Sequence, residues 1–233
     1  MKGEDFVEIV HAGGIDPETE LQDSRLWIGL GGLRVADYPG GGARTILFDL
    51  YGRNQSAQSS DDLHFNAKYD VAENDSAGVL NLPIFVGLNC GKVGVSFECL
   101  TVNVANKNDQ TFLRFLEGDV FKSGLKLITT AQPALAQFSE MALSITKNIA
   151  TRHQNVPVQK FALGLDFSDK TAAGARLRQG TYVAVQIPQQ DARIWSWDAW
   201  RWSRRDGLVM DAPEGRRLLP YNSVIINVRA AED

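Results

Sequence analysis

Leu63, Phe65, Ala67 and Tyr69 alternate strictly with His64, Asn66, Lys68 and Asp70. A two-residue period puts each set on its own face of an extended strand, so residues 63–70 are expected to join a sheet. The apolar face is expected inside and the polar face wet. Residues 26–35 (L-W-I-G-L-G-G-L-R-V) and 43–51 (A-R-T-I-L-F-D-L-Y) are short apolar runs bounded by glycine, proline and polar clusters, with P-G-G-G at 39–42 as the turn between them. Residues 158–167, 181–187 and 223–228 are β-rich in composition. About nine or ten strands at this spacing predict a sandwich.

Residues 82–104 read as a β-hairpin turning at Gly91-Lys92, since glycine at the first turn position suits a type II′ turn. In that register Cys90 faces Val93 and Cys99 faces Ile84, so the two cysteines do not pair. Cys99 reads as a small buried hydrophobe.

Two helices interrupt the strands. Asp109 as N-cap and Gly118 as a stop bound a short one over residues 109–117. Pro133 suits the first turn of a longer one over residues 132–153. Its Leu135, Phe138, Met141, Ala142, Ile145 and Ile149 form an apolar stripe opposite Gln137, Glu140, Ser144 and Lys147, so it should dock on a sheet.

Chemical motifs are scarce. The glycines at 29–33 lack the spacing of a dinucleotide fingerprint, and P-G-G-G-A-R-T lacks the Lys-Ser/Thr of a phosphate loop. His11, His64 and His153 fall on separate elements, and neither C-x-x-C, H-E-x-x-H nor G-x-S-x-G occurs. Asp61, Asp62, Asp70, Glu73 and Asp75 flank the strand at 63–70, where sandwich loops can collect calcium ligands, but they follow no fixed loop pattern. No cofactor and no metal ligand set is expected. A net charge of −4 argues against bulk nucleic-acid binding. The N-terminus is too polar for a signal peptide, and two cysteines make no disulfide framework, so a cytoplasmic setting is expected.

Charge is unevenly spread. Residues 1–24 carry seven acids against Lys2, whereas residues 193–217 carry six arginines against four acids. Either these are ordinary solvated charges or the two ends meet. Trp195, Trp197, Trp200 and Trp202, four of the chain's five tryptophans, lie in the basic segment with Arg201, Arg204 and Arg205. A helix or a continuous strand would split these rings between two faces. A reversal at Asp198-Ala199 unites them, either as a zipped hairpin or with Trp197 and Trp200 turned outward at a loop tip. Trp with Arg is the composition of binding hot spots.

The sequence therefore predicts a mainly β fold: one domain over residues 1–233, a two-layer antiparallel β-sandwich of C2-like or jelly-roll-like shape carrying the two helices. The expected role is a non-enzymatic interaction module or assembly subunit, with the seven Trp and Arg residues just named as its contact surface. Another protein or further copies of the chain are the expected partners. A C2-like or lectin-like domain binding a membrane interface or glycan, with or without calcium, is the first rival. An enzyme with a dispersed site is the second.

Overall fold

The computed structural model describes residues 6–38, 44–55, 60–72, 75–77, 79, 81–117, 119–127, 133–168, 174–211 and 217–232. Its strands begin with β1 (Phe6–Glu8), β2 (Arg25–Arg34), β3 (Arg44–Gln55), β4 (Ser60–Val71) and β5 (Ser76–Ala77). β6 (Leu82–Asn89) and β7 (Gly94–Asn103) precede helices α1 (Lys107–Phe112) and α2 (Asp119–Lys122). Strand β8 (Leu125–Lys126), helix α3 (Pro133–Ala150) and strands β9 (Val156–Asp166), β10 (Ala175–Arg176) and β11 (Gly180–Val185) follow. The one-turn α4 (Gln189–Ala192), then β12 (Trp200–Ser203), β13 (Leu208–Asp211) and β14 (Ser223–Ala230), come last.

The strands form three sheets. One runs in the order β10-β9-β7-β3-β4, and a second in the order β11-β14-β2-β6-β8 with β5 also on β2. A third and smaller one is β1-β12-β13. The first two share an apolar core in a sandwich-like arrangement. Phe48, Phe65 and Phe97 enter it from one sheet, and Ile28, Leu30, Phe85 and Ile226 from the other. The Phe85 and Phe97 rings stack across the divide with centroids 6.5 Å apart. Each such side chain contributes about 1.5–3 kcal/mol by leaving water.

The glycines at 29–33 serve close packing, Gly29 within β2 and Gly31 and Gly32 against Ile225 of β14. A Cβ on Gly29 would lie 2.0 Å from Cη2 of Trp27, whose ring covers that glycine. P-G-G-G at 39–42 lies outside the described residues.

Residues 82–104 are not a hairpin. β6 belongs to the second sheet and β7 to the first, so the chain arches across the core between them. Cys99 lies opposite Leu50 and Phe161 rather than Ile84, and both cysteines are buried and free. Gly94 makes the arch close: its φ is +125°, and a Cβ there would fall 2.0 Å from the Leu165 carbonyl oxygen. Two apolar strands with a glycine between them look the same in sequence whether they pair edge to edge or pack face to face.

The polar face of β4 is covered rather than wet along most of its length: His64, Asn66 and Lys68 are shielded, and Asp70 at its end stays exposed. The α3 helix lies over it, and Ala142, Ile145 and Ile149 are buried. Ile145 and Ile149 pack with Leu47, Val102 and Val104 on the outer side of the first sheet. Asn66 is fully buried there, donating through Nδ2 to Asp49 Oδ1 and Thr146 Oγ1, each at 3.0 Å. Ser139 Oγ accepts from His64 N at 2.7 Å and donates to the Asp62 carbonyl at 3.0 Å. The alternation along β4 is as expected. What covers its second face is a helix that brings Ser139 and Thr146 as polar partners. Met141 of the expected stripe is 40% exposed, and the Leu135 side chain lies outside the described residues.

The short helix begins earlier than expected. Asn106 is its N-cap, accepting from Asn108 N and Asp109 N. Asp109 sits inside the helix and is buried, pairing with Arg152 and accepting from Asn155 Nδ2 at 2.7 Å. That anchor ties α1 to the chain just beyond α3. Among the described residues no helix is long and apolar enough to cross a membrane.

Candidate functional site

The two oppositely charged ends of the chain meet. β1, from the acidic N-terminal region, pairs antiparallel with β12 in the arginine-rich segment: Phe6 opposite Ser203, Val7 opposite Trp202, Glu8 opposite Arg201. β12 continues through a four-residue loop into β13, where Gly207 adopts φ +65° and Asp206 accepts from Ser203 Oγ at 2.7 Å.

The tryptophans come together, but not by a reversal into a hairpin. Trp197–Ala199 forms a single 3₁₀ turn, whose Ser196 Oγ accepts from Asp198 N. Trp200 then opens β12 opposite Asp211, and Trp202 lies opposite Val209. Trp200 points inward, 4% exposed, into a small core with Val209 and Leu219. Trp195 stacks on it at 5.3 Å between centroids and an interplanar angle of 18°. Trp197 and Tyr221 meet Trp195 edge-on at 5.5 and 5.2 Å. Such aromatic pairs add about 0.5–1.5 kcal/mol beyond their buried area. Trp195 Nε1 is buried without a hydrogen-bond partner among the described residues.

The arginines divide by role. Arg201 Nη1 donates to the carbonyls of Asp198 and Trp200 at 2.9 and 2.7 Å, so it braces the turn. Arg204 and Arg205 are exposed in the β12–β13 loop. Arg217, outside the predicted set, holds its guanidinium 5.6 Å from the Trp200 ring centroid. Tyr221 and Arg217 were missed because each reaches the rings from a separate stretch of chain.

Beside this cluster runs a groove of about 580 Å³. Residues 7–12 form one wall and β11 the other, while Trp202 of β12, with Trp197 before it and Arg204 after it, borders it from the remaining side. Trp195, Trp200, Arg201 and Arg205 do not line it. Val183 and Val185 pack toward the tryptophan cluster, whereas Tyr182 turns into the main core. The Tyr182 hydroxyl donates to the Arg176 or Arg178 carbonyl, each 2.8 Å away, and accepts from Arg178 N, which fixes the bend before β11. Burial pushes that hydroxyl up to about 12, so it stays neutral. Glu18 nearby is held below the usual carboxylate range, chiefly by hydrogen bonds from Gln179.

Titratable groups also gather beneath α3. His64 Nδ1 lies 3.4 Å from both oxygens of Asp49, and the Tyr51 ring is 4.8 Å from that imidazole. Burial raises the Asp49 carboxyl above its ordinary range, partly offset by hydrogen bonds from His64, Thr146 and Asn66. Of the acids considered for calcium, Asp62 accepts from Tyr51 and Arg53, and Asp70 from Lys68 and Thr45. Glu73 lies outside the described residues. Among the described residues no group of three His, Cys, Asp or Glu side chains is placed to hold a metal ion.

No protein-family model matches the chain, and comparison with curated proteins and with solved structures finds no match.

Proposed function

We propose that this chain is a non-enzymatic interaction module, or a subunit of a larger assembly, that binds another protein through the Trp/Arg-rich segment 195–205. On this reading Trp197, Trp202 and Arg204 make the contact along the groove. Trp195 and Trp200 hold them in place from below, and Arg205 adds charge at the rim. The two larger sheets, antiparallel except for the short β9–β10 and β6–β8 pairs, are then the layers of a sandwich of C2-like or jelly-roll-like form. The chain is one domain working in a reducing, cytoplasmic setting where its two thiols stay free.

The observation that carries the reading is the juxtaposition of half-buried indoles and an exposed arginine with an open groove of about 580 Å³. Aromatic and arginine side chains supply much of the energy at protein interfaces, since they desolvate large area at low entropic cost. The test is affinity purification from the native cell followed by mass spectrometry, comparing wild type with the Trp197→Ala/Trp202→Ala variant. A partner retained by wild type and lost by a variant with unchanged near-UV circular dichroism is the expected result. Equal retention by the folded variant removes segment 195–205 as the contact surface.

A further inference from the structure

We propose that the groove takes an extended, acidic peptide strand of a partner protein, which adds to the open edge of β11; this rests on the interaction-module reading above. Among the described residues β11 is the outermost strand of its sheet, paired only with β14. The phase of that pairing is set by Gln186 N, which donates to the Asn222 carbonyl at 3.0 Å just past the strand. Antiparallel strands bond at every second residue. Gly180, Tyr182 and Ala184 therefore bond to β14, and Thr181, Val183 and Val185 turn their N–H and C=O groups to the open side. β1 is likewise an edge strand of the small sheet, and Val7 and Glu8 line the opposite wall. Two open edges thus border one groove.

The β11 edge is unguarded. Sheet edges that must stay unpaired usually carry a charge, a proline or a bulge. Thr181-Tyr182-Val183-Ala184-Val185 has no charge and no proline, and its pairing with β14 has no register shift. A strand laid along it would gain main-chain hydrogen bonds from the three outward residues. Its alternate side chains would meet Ile9, Val183, Trp197 and Trp202.

Charge selects the occupant. Arg178, just before β11, and Arg204 both line the groove and are exposed, and Arg178 acts electrostatically on Glu18, which does not line it. Glu8 is the one acid among the described residues that line it. A peptide with acidic residues flanking an apolar alternation fits that balance. A single strand fits better than a second copy of the chain, because residues 7–12 wall the groove and another folded copy would bring its own wall into the same space.

The probe is a fluorescein-labelled, capped peptide Glu-Glu-Val-Thr-Val-Glu-Glu, followed by polarisation and by amide hydrogen exchange. Binding is expected to slow exchange at Thr181, Val183 and Val185. Val183→Pro removes one outward donor without touching the β14 ladder, and should weaken binding at least tenfold. Arg178→Glu/Arg204→Glu should do the same, as should N-methylation of alternate peptide nitrogens. Near-UV circular dichroism verifies that each variant is folded. No binding of the probe by wild type, or equal binding by folded Val183→Pro, overturns strand addition. If such binding still falls with Trp202→Ala, the interaction surface stands and only its mode is wrong. If it responds to neither variant, both readings fail. Dimerisation of wild type that Val183→Pro abolishes makes the occupant a second copy, which overturns the peptide assignment.

Discussion

Val7 lies directly opposite Trp202 in the antiparallel pair of β1 and β12. That pair joins the acidic beginning of the chain to its arginine-rich end, across nearly the whole sequence. It also builds the groove, since Val7 and Trp202 both line it. Val7→Asp places a carboxylate beside the indole in a partly buried position. The expected loss is about 1 kcal/mol, the scale of a good cross-strand pair, with tryptophan emission moving to longer wavelength. Unchanged emission and stability would mean that β1 does not pair with β12 in solution.

The tryptophans should separate sharply by energy. Trp200 is 4% exposed and closes the small core with Val209 and Leu219. Trp200→Ala should therefore cost about 3–5 kcal/mol in urea unfolding, the range for emptying a large buried aromatic site. Trp197 is half-buried and meets Trp195 edge-on. Trp197→Ala should cost about 0.5–1.5 kcal/mol, the worth of that ring contact. Equal losses from the two substitutions would contradict the division into supporting and groove-lining rings.

Which parts of this were legible in the sequence follows from the range of the interactions. The alternation of Leu63, Phe65 and Ala67 is local, and those side chains are buried as expected. The Ala142, Ile145 and Ile149 stripe of α3 is local too, and it docks. The failures occur where the partner is distant. Residues 82–104 carry a hairpin's local signal, yet the pairing is decided by β2 and β3, which claim β6 and β7 for different sheets. His64 and Asn66 were polar enough to suggest water, yet Asp49 of β3, with Thr146 of α3, satisfies their side chains dry. The tryptophan cluster was visible as composition. Its groove was not, because Val7 and Val183 reach it from separate sheets.

The thiols offer a direct check on the arch. Burial pushes Cys90 up to about 11 and Cys99 well above its ordinary value. The thiolate is the reactive form, so neither should react with an aromatic disulfide reagent at pH 8 while the protein is folded. Both should react rapidly in denaturant. Fast labelling of native Cys99 would be incompatible with its place between β3 and β9.

Asp49 should give the fold a pH dependence of definite sign. It is buried under α3, and burial holds its carboxyl above the ordinary range despite hydrogen bonds from His64, Thr146 and Asn66. In the unfolded chain the same group titrates at about 3.9. Between that value and its higher native one, the folded state binds more protons than the unfolded state, so stability falls as pH rises. The contribution is complete below the unfolded value and is lost on passing the native one. Asp49→Asn removes the titration and retains an acceptor for Asn66 Nδ2. Thermal unfolding from pH 4 to pH 8 should therefore show the melting temperature of wild type falling relative to that of Asp49→Asn. His64 faces the carboxylate at 3.4 Å and opposes part of the effect of burial on it. Repeating the comparison in His64→Gln removes that opposition, and the relative fall should steepen. A pH-independent difference in both backgrounds would mean that Asp49 does not titrate as a desolvated acid beneath α3.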